Sequence, residues 1–135
     1  MSRRGLEILD ADDCYRLLRE QSLGRIGLKL ANEFVILPVY YAVVDRDIAF
    51  RTDPGTKLAA AVMGMRVAFE VDSVVPEWSV LCSGHAHEIR NMVERDRIQS
   101  ALSHDWPDGE RESFVRIEVD RVSGRRVLRA GGQPS

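Results

Sequence analysis

The sequence has few cysteines and no long apolar run, and each shortage excludes a class of protein. Its only cysteines are Cys14 and Cys82, so no disulfide framework is expected, and both thiols are predicted to be reduced and structural. The longest apolar run without a charge, Phe34–Val44, has eleven residues, whereas a membrane helix needs about 20. We therefore expect a cytoplasmic protein that does not cross a membrane.

An excess of charge of one sign is also missing. With 19 basic and 21 acidic residues the net charge is −2, and both signs are spread along the chain, so binding to nucleic acid through a basic surface is not expected.

A metal-ligand motif is missing as well. His85 and His87 share one face of a predicted strand, but Cys82 falls on the other face and no third ligand accompanies the pair. No metal site is predicted.

Alternation between apolar and polar residues is the clearest pattern present, and it predicts a mainly β protein. Six strands are expected at Arg25–Ala31, Phe34–Asp45, Ile48–Thr52, Met65–Ser73, Trp78–Ile89 and Ser113–Val122. Three short helices are expected to begin near Asp10, Thr56 and Asn91, with Gly24 ending the first. Pro38 has no N–H for a sheet ladder, so its position in the second strand predicts a bulge, an edge or a gap.

The short turns between these strands favour an antiparallel arrangement that closes into a small barrel rather than an open sandwich. The expected fold class is therefore a mainly β, six-stranded antiparallel barrel of the closed or split type, with short helices at its edges. Residues 1–130 are expected to form a single domain, which suits a chain of 135 residues, and residues 131–135 are expected to form a tail.

The corner where the third strand runs into the next helix is the best candidate for binding chemistry. It brings Arg51 and Thr52, at the end of the strand, close to Thr56 and Lys57, at the start of the helix. A guanidinium offers bidentate contacts, an ammonium adds a point charge and a helix start adds N–H groups, and this set suits a phosphate. The alternative interpretation is an exposed turn with two solvated cations.

The two tryptophans are the other candidates for ligand binding. Trp78 opens a predicted strand, and Trp106 lies in a polar loop with few apolar neighbours. An indole stacks well on a flat ring, so either residue suits a planar ligand. The alternative is that both lie at the edge of the core. The loop position favours the ligand interpretation for Trp106.

Six segments follow one another along the chain: LGRIGL, ILPVYY, IAFRTDPGTKL, VAFEVD, WSVLCSGHAHEI and WPDGERESFVRI, which begin at Leu23, Ile36, Ile48, Val67, Trp78 and Trp106. In this order they resemble the pyridoxamine 5′-phosphate oxidase-like family, the flavin-binding split barrels, over about Leu9–Val127. The resemblance implies a homodimer of six-stranded split barrels with two flavin mononucleotide (FMN) sites at the subunit interface.

The resemblance also implies a phosphate end and a ring end for each site. At the phosphate end, the FMN phosphate would contact Arg51, Thr52 and Lys57 of the corner described above. At the ring end, Val39 and Tyr40 would lie along the isoalloxazine ring and offer main-chain groups to its polar edge. Related proteins often have Asn where Tyr40 stands, so a larger side chain occupies this position here.

Two further pairs complete the implied site. Trp78 and Ser79 would line the same pocket as the flavin. Trp106 would reach the flavin from the partner chain, with Arg111 beside it.

The implied function is that of an FMN-dependent oxidoreductase that passes a hydride or electrons to a small organic acceptor or to oxygen. The alternatives are a deazaflavin-dependent reductase on the same fold, a flavin-binding or storage protein without turnover, and a haem-handling barrel that uses His85 or His87. No catalytic residue is assigned, and Tyr40 and Tyr41 are the candidate proton donors near the ring. The basic residues that hold substrate phosphate in true pyridoxamine 5′-phosphate oxidases are not found, so vitamin B6 oxidation is not expected.

Overall fold

The computed structural model describes residues 4–52, 62–102 and 113–129. In these ranges the chain forms, in order, β1 (Arg4–Leu9), α1 (Ala11–Glu20), β2 (Leu23–Leu30), β3 (Glu33–Val44), β4 (Asp47–Thr52), β5 (Arg66–Ser73), β6 (Trp78–Ile89), α2 (Met92–Ala101) and β7 (Ser113–Arg129). Neither of these two helices has the length and apolar character needed to span a membrane.

Six of the strands close into a barrel, and every neighbouring pair is antiparallel. Their order around the barrel is β7, β4, β3, β2, β5 and β6, and β6 pairs back to β7. The predicted fold class and all six predicted strands are confirmed.

The additional strand, β1, is a departure from the prediction. It pairs with the second half of β7, from Arg4↔Arg129 to Leu9↔Gly124, so β7 continues to Arg129 instead of ending near residue 122. Pairing with β7, rather than a buried apolar face, holds β1 in the sheet, because Leu6 and Ile8 remain 63% and 78% exposed. Because these apolar residues are exposed, β1 lacks the alternation of buried and exposed residues that identifies a half-buried strand.

The two helices begin at the predicted caps. The side chains of Asp10 and Asn91 each accept the backbone N–H three residues further on, at 2.8 and 3.0 Å, which supplies partners that helix starts lack. The prediction that Gly24 ends α1 is wrong. The helix ends at Glu20, and Gly24 lies in β2, where a Cβ would come within 2.3 Å of the Phe69 ring. Glycine is needed there for close packing.

Two predicted segments fall outside the described residues. The tail at 131–135 is one of them. The predicted helix 56–63 is the other, apart from Val62 and Met63, which lie in a turn with Gly64.

Two apolar clusters stabilise the fold. The main cluster fills the barrel and includes Phe50 and Phe69, both fully buried. The second lies outside the barrel wall and brings Ile98 of α2 together with Ala49 of β4 and Phe114 of β7. Burying a side chain such as Ile98 contributes about 1.5–3 kcal/mol. The helix α2 is therefore anchored over the end of β4, which is where the predicted phosphate corner begins.

Candidate functional site

Arg51 and Thr52 end β4 at a corner of the barrel shared with β7. Their ladder partners are Phe114 and Ser113, so the corner lies where β4 ends and β7 begins. Arg51 is 7% exposed and Thr52 is 5% exposed, whereas every other buried side chain in the described ranges is apolar, a tyrosine, a tryptophan or a cysteine. Burying a guanidinium is costly unless polar groups or an anion compensate its charge. This makes the corner a candidate anion site.

Hydrogen bonds hold both side chains of this corner. Arg51 Nη1 donates to Gln99 Oε1 at 2.8 Å, and Thr52 Oγ1 donates to the backbone oxygen of Ser113 at 3.3 Å. Gln99 comes from α2, and sequence reasoning missed it because it lies 48 residues from Arg51 in no recognisable motif. The one feature of the sequence that could have pointed to Gln99 is its position directly after Ile98, the residue that anchors the helix.

The structure places the predicted ring-end residues beside the same corner. The β3–β4 ladder ends at the pair Tyr41↔Phe50, so Tyr40 and Arg51 are the next residues of each strand at the point where the ladder stops. Val39 packs against the barrel core, and its backbone N–H points toward β2, as that of Tyr41 does. The corner and the predicted ring end are therefore continuous.

Pro38 lies in the first half of β3, which pairs with a neighbouring strand, β2, on one side only within the described residues. Glu33–Tyr40 pair with β2, while β4 pairs with Tyr41–Val44. The Tyr41 N–H donates to the Ser22 oxygen at 3.0 Å. Because N–H groups alternate in direction along a strand, the position of the missing Pro38 donor is on the side away from β2. Of the bulge, edge or gap predicted at Pro38, the described part of the chain shows an edge, in the half of β3 that β4 does not pair with.

Ser79 also lies on the outer surface of the barrel, on β6. Because the barrel is closed, β6 is separated from β4 by β7 on one side and by β5, β2 and β3 on the other. On β7 the ladder partner of Ser79 is Arg125, eleven residues after Phe114, the partner of Arg51. Ser79 therefore belongs to the far end of this outer surface and not to the phosphate corner.

Trp78 points to the opposite face of β6 from Ser79. It is 3% exposed and belongs to the barrel core, so its indole has almost no surface left for stacking on a flat ligand. The two residues line a pocket of about 390 Å³ with Leu6, Arg125 and Val127, among others. The structure favours the core interpretation over the stacking interpretation for Trp78.

A pair of carboxyl groups lies on the outer surface between the two ends. Glu70 and Asp72 flank Arg25, whose Nη1 is 3.7 Å from Glu70 Oε1 and 3.8 Å from Asp72 Oδ1. Burial, then a hydrogen bond to Asp72, then the charge of Asp72 raise the pKa of Glu70 to about 7, against the opposing effect of Arg25. The Glu70 carboxyl therefore keeps its proton to a higher pH than an isolated carboxyl does. No sequence motif indicated this pair.

Tyr41 is not placed to give a proton to a ligand. Its side chain is 4% exposed, and its hydroxyl donates to the backbone oxygen of Leu18 at 2.5 Å. Burial raises the pKa of Tyr41 well above its usual range, so the phenol stays neutral and bonded inside the barrel. The interpretation of Tyr41 as a proton donor is wrong, and Tyr40 is the remaining candidate.

The cysteines and histidines show no arrangement for chemistry in the described ranges. Cys14 and Cys82 are buried free thiols, and burial raises the pKa of both, which suits structural cysteines. His85 and His87 are partly exposed and lie near carboxylates at 3.8 and 3.9 Å. No three ligand-type side chains of residues 4–52, 62–102 and 113–129 group closely enough to hold a metal.

Four predicted site residues lie outside the described residues: Thr56, Lys57, Trp106 and Arg111. They belong to the segments 53–61 and 103–112. The first segment follows Thr52 directly and the second precedes Ser113 directly, and these two flanking residues are ladder partners. Both segments therefore join the described chain at the phosphate corner.

Comparison with known proteins identifies the family. A family model described as pyridoxamine 5′-phosphate oxidase matches residues 10–126. No curated protein is significantly similar to the chain in sequence. Among solved structures, the FAD binding protein from Mycobacterium smegmatis is 33% identical, with 89% of this chain and 97% of that chain covered and a TM-score of 0.79.

Two other solved structures are similar over nearly the whole chain. A conserved protein of unknown function from Corynebacterium diphtheriae is 28% identical, with 91% of this chain and 98% of that chain covered and a TM-score of 0.80. An FAD-binding protein from Mesorhizobium loti is 27% identical, with 93% and 98% covered and a TM-score of 0.75. The chain belongs to the pyridoxamine 5′-phosphate oxidase family, which confirms the resemblance seen in its sequence.

Proposed function

We propose that this protein binds FMN, with the phosphate at the corner formed by Arg51 and Thr52. The observation that carries the proposal is the buried guanidinium of Arg51, which ends β4 beside the edge of β3. A planar guanidinium matches a phosphate with two parallel hydrogen bonds. In the proposal, Thr56 and Lys57 complete the phosphate contacts. Two similar structures named as FAD-binding proteins support a flavin as the ligand class.

At the other end of the proposed site, the isoalloxazine ring lies along Val39 and Tyr40. In the described part of the chain β4 pairs only with the other half of β3, so the ring can lie along this half of the strand in the proposal. Of the other predicted site residues, the proposal keeps Ser79, Trp106 and Arg111, whereas the Trp78 indole belongs to the barrel core.

We further propose that the protein is a homodimer in which the subunits share each flavin site. The outer surface beside Tyr40 carries large exposed apolar side chains: Leu23 is 43% exposed, Phe34 84% and Ile36 71%. A contiguous apolar surface of this kind is typical of an interface between proteins. A second copy of the chain on this surface would cover these side chains and enclose the ring end of the site.

The proposed activity is an oxidoreductase reaction with a small organic acceptor or oxygen, in the cytoplasm. A bound flavin supplies the hydride or electron transfer. The residues of this chain bind and orient: Arg51 and Thr52 hold the phosphate, and the phenol of Tyr40 limits the space beside the ring to small substrates. Glu70 lies on the same outer surface, where burial and the neighbouring Asp72 raise its pKa. No residue is assigned a catalytic role.

The proposal is tested by the visible spectrum of the purified protein before and after addition of FMN. We expect flavin absorption bands that stay with the protein on gel filtration. No bands and no binding of added FMN would refute the proposal. Tighter binding of a deazaflavin would support the deazaflavin-dependent reductase, which needs the same phosphate corner, and FAD is the third ligand to compare.

Turnover is tested separately on the flavin-loaded protein. If the protein is an oxidoreductase, NADH, NADPH or another added reductant bleaches the flavin bands, and an acceptor restores them. Flavin bands that no reductant bleaches would instead support a flavin-binding or storage protein.

A further inference from the structure

One polar side chain of α2 reaches the phosphate corner from outside the predicted site. Gln99 lies on the exposed side of the helix, yet its Oε1 accepts a hydrogen bond from the Nη1 of Arg51 at 2.8 Å, a normal distance for a strong contact. Ordering a long side chain costs conformational entropy. The contact between an exposed glutamine and a buried arginine therefore needs a physical reason.

The chemistry of this contact suits a guanidinium that binds an anion. An amide oxygen is a neutral acceptor, so Gln99 fixes one N–H of Arg51 without cancelling its positive charge. A carboxylate in the same position would form an ion pair and compete with a phosphate for that charge. Because the guanidinium is rigid and planar, fixing the direction of one N–H limits the plane in which the others point.

The helix that carries Gln99 is fixed to the barrel on two sides. Ile98, the preceding residue, is fully buried in the second apolar cluster. One turn earlier, Glu94 Oε1 accepts from Arg116 Nη1 at 2.8 Å, and Arg116 Nε donates to Asp47 Oδ2 at 2.9 Å. The Gln99 amide is thus presented by a fixed element rather than by a loop, which is what precise orientation of a binding group requires.

We propose that Gln99 is a positioning residue that holds the Arg51 guanidinium in the orientation that receives the flavin phosphate. The inference rests on the proposed function and deepens it by adding α2 to the phosphate end of the site. It has a specific consequence: Gln99 contributes to the affinity for the phosphate group, only through Arg51, and does not contribute to the affinity for the ring.

The test compares FMN with riboflavin, which has the same ring and no phosphate, in fluorescence titrations of the full-length protein. For Gln99→Ala we expect about a tenfold loss of FMN affinity, the effect of one charge-assisted hydrogen bond, and a change of less than about twofold for riboflavin. For Gln99→Glu we expect a larger loss of FMN affinity, because the carboxylate pairs with Arg51 and repels the phosphate. Ser100→Ala, at the next exposed position of α2, is the control and should change neither affinity.

A double-mutant cycle supplies the second readout. If Gln99 acts through Arg51, Gln99→Ala causes no further loss of FMN affinity in the Arg51→Ala protein. Equal losses for FMN and riboflavin in Gln99→Ala, or an unchanged FMN affinity, would overturn the positioning role while leaving the flavin proposal in place. Equal affinities of the unmodified protein for FMN and riboflavin would overturn both the phosphate corner and the role of Gln99. Thermal unfolding of each variant confirms that it is folded.

Discussion

Replacing Arg51 by alanine removes the buried cation of the phosphate corner and is expected to weaken FMN binding by about 100-fold. A hydrogen bond to a charged group contributes about 1.5–3 kcal/mol, and each 1.4 kcal/mol corresponds to about tenfold in Kd. Arg51 is 7% exposed, so solvent ions screen it poorly, and the upper part of that range, about 2.7 kcal/mol, applies. Arg51→Lys keeps the charge but loses the planar fork, and about a tenfold loss is expected.

The assay is titration of each variant with FMN and with riboflavin, followed by quenching of flavin fluorescence. The matched control is Arg97→Ala, which removes an arginine from α2 whose ion pair with Asp45, at 2.9 Å, is more than half exposed. Such pairs contribute little, so a change of less than about twofold is expected for both ligands. An unchanged FMN affinity in Arg51→Ala would refute the placement of the phosphate. Equal losses for FMN and riboflavin would show that Arg51 acts through the barrel structure instead.

Three further predictions concern the barrel. Gly24→Ala should lower the free energy of unfolding by about 1–3 kcal/mol in urea titrations, because the new Cβ meets the Phe69 ring; truncating the ring with Phe69→Leu should recover part of the loss. Tyr41→Phe should cost about 1 kcal/mol by leaving the Leu18 oxygen without its donor, and it should leave flavin affinity unchanged. Because the pKa of Glu70 is raised from 4.5 to about 7 in the folded protein, the protonated carboxyl favours the folded state. The free energy of unfolding should therefore be highest below about pH 4.5 and fall by about 1 kcal/mol, after allowance for solvent exposure, as the pH rises to about 7. Urea titrations of Glu70→Gln should show no such fall.

Most of the barrel strands could be predicted because one face of the strand is buried, although β4 is buried on both faces from Ile48 to Thr52. In β2, for example, Ile26 and Leu28 are buried whereas Arg25 and Lys29 are exposed, and this alternation is visible in the sequence. In β1 the apolar residues Leu6 and Ile8 are exposed, and a tertiary contact with β7 decides the structure. Sequence periodicity carries no information about such a contact.

The candidate site could be predicted at the places where it is local in sequence. Arg51 and Thr52 are adjacent in sequence, and the hairpin of β3 and β4 brings Tyr40 level with Arg51 on the neighbouring strand. Trp78 shows the limit of this reasoning, because a shift of one residue along a strand exchanges the buried face for the exposed face. Gln99 shows another limit, since its contact with Arg51 depends on how α2 packs against the barrel.

The measurement that tests the central claim most directly is the difference in affinity of the unmodified protein for FMN and for riboflavin at low and high salt. If a buried cationic corner holds the phosphate, FMN binds at least about 100-fold more tightly than riboflavin, and most of this advantage is lost in Arg51→Ala. Because Arg51 is largely shielded from solvent, most of the advantage should persist at high salt. Equal affinities, or an advantage for FMN that Arg51→Ala retains in full, would contradict the account.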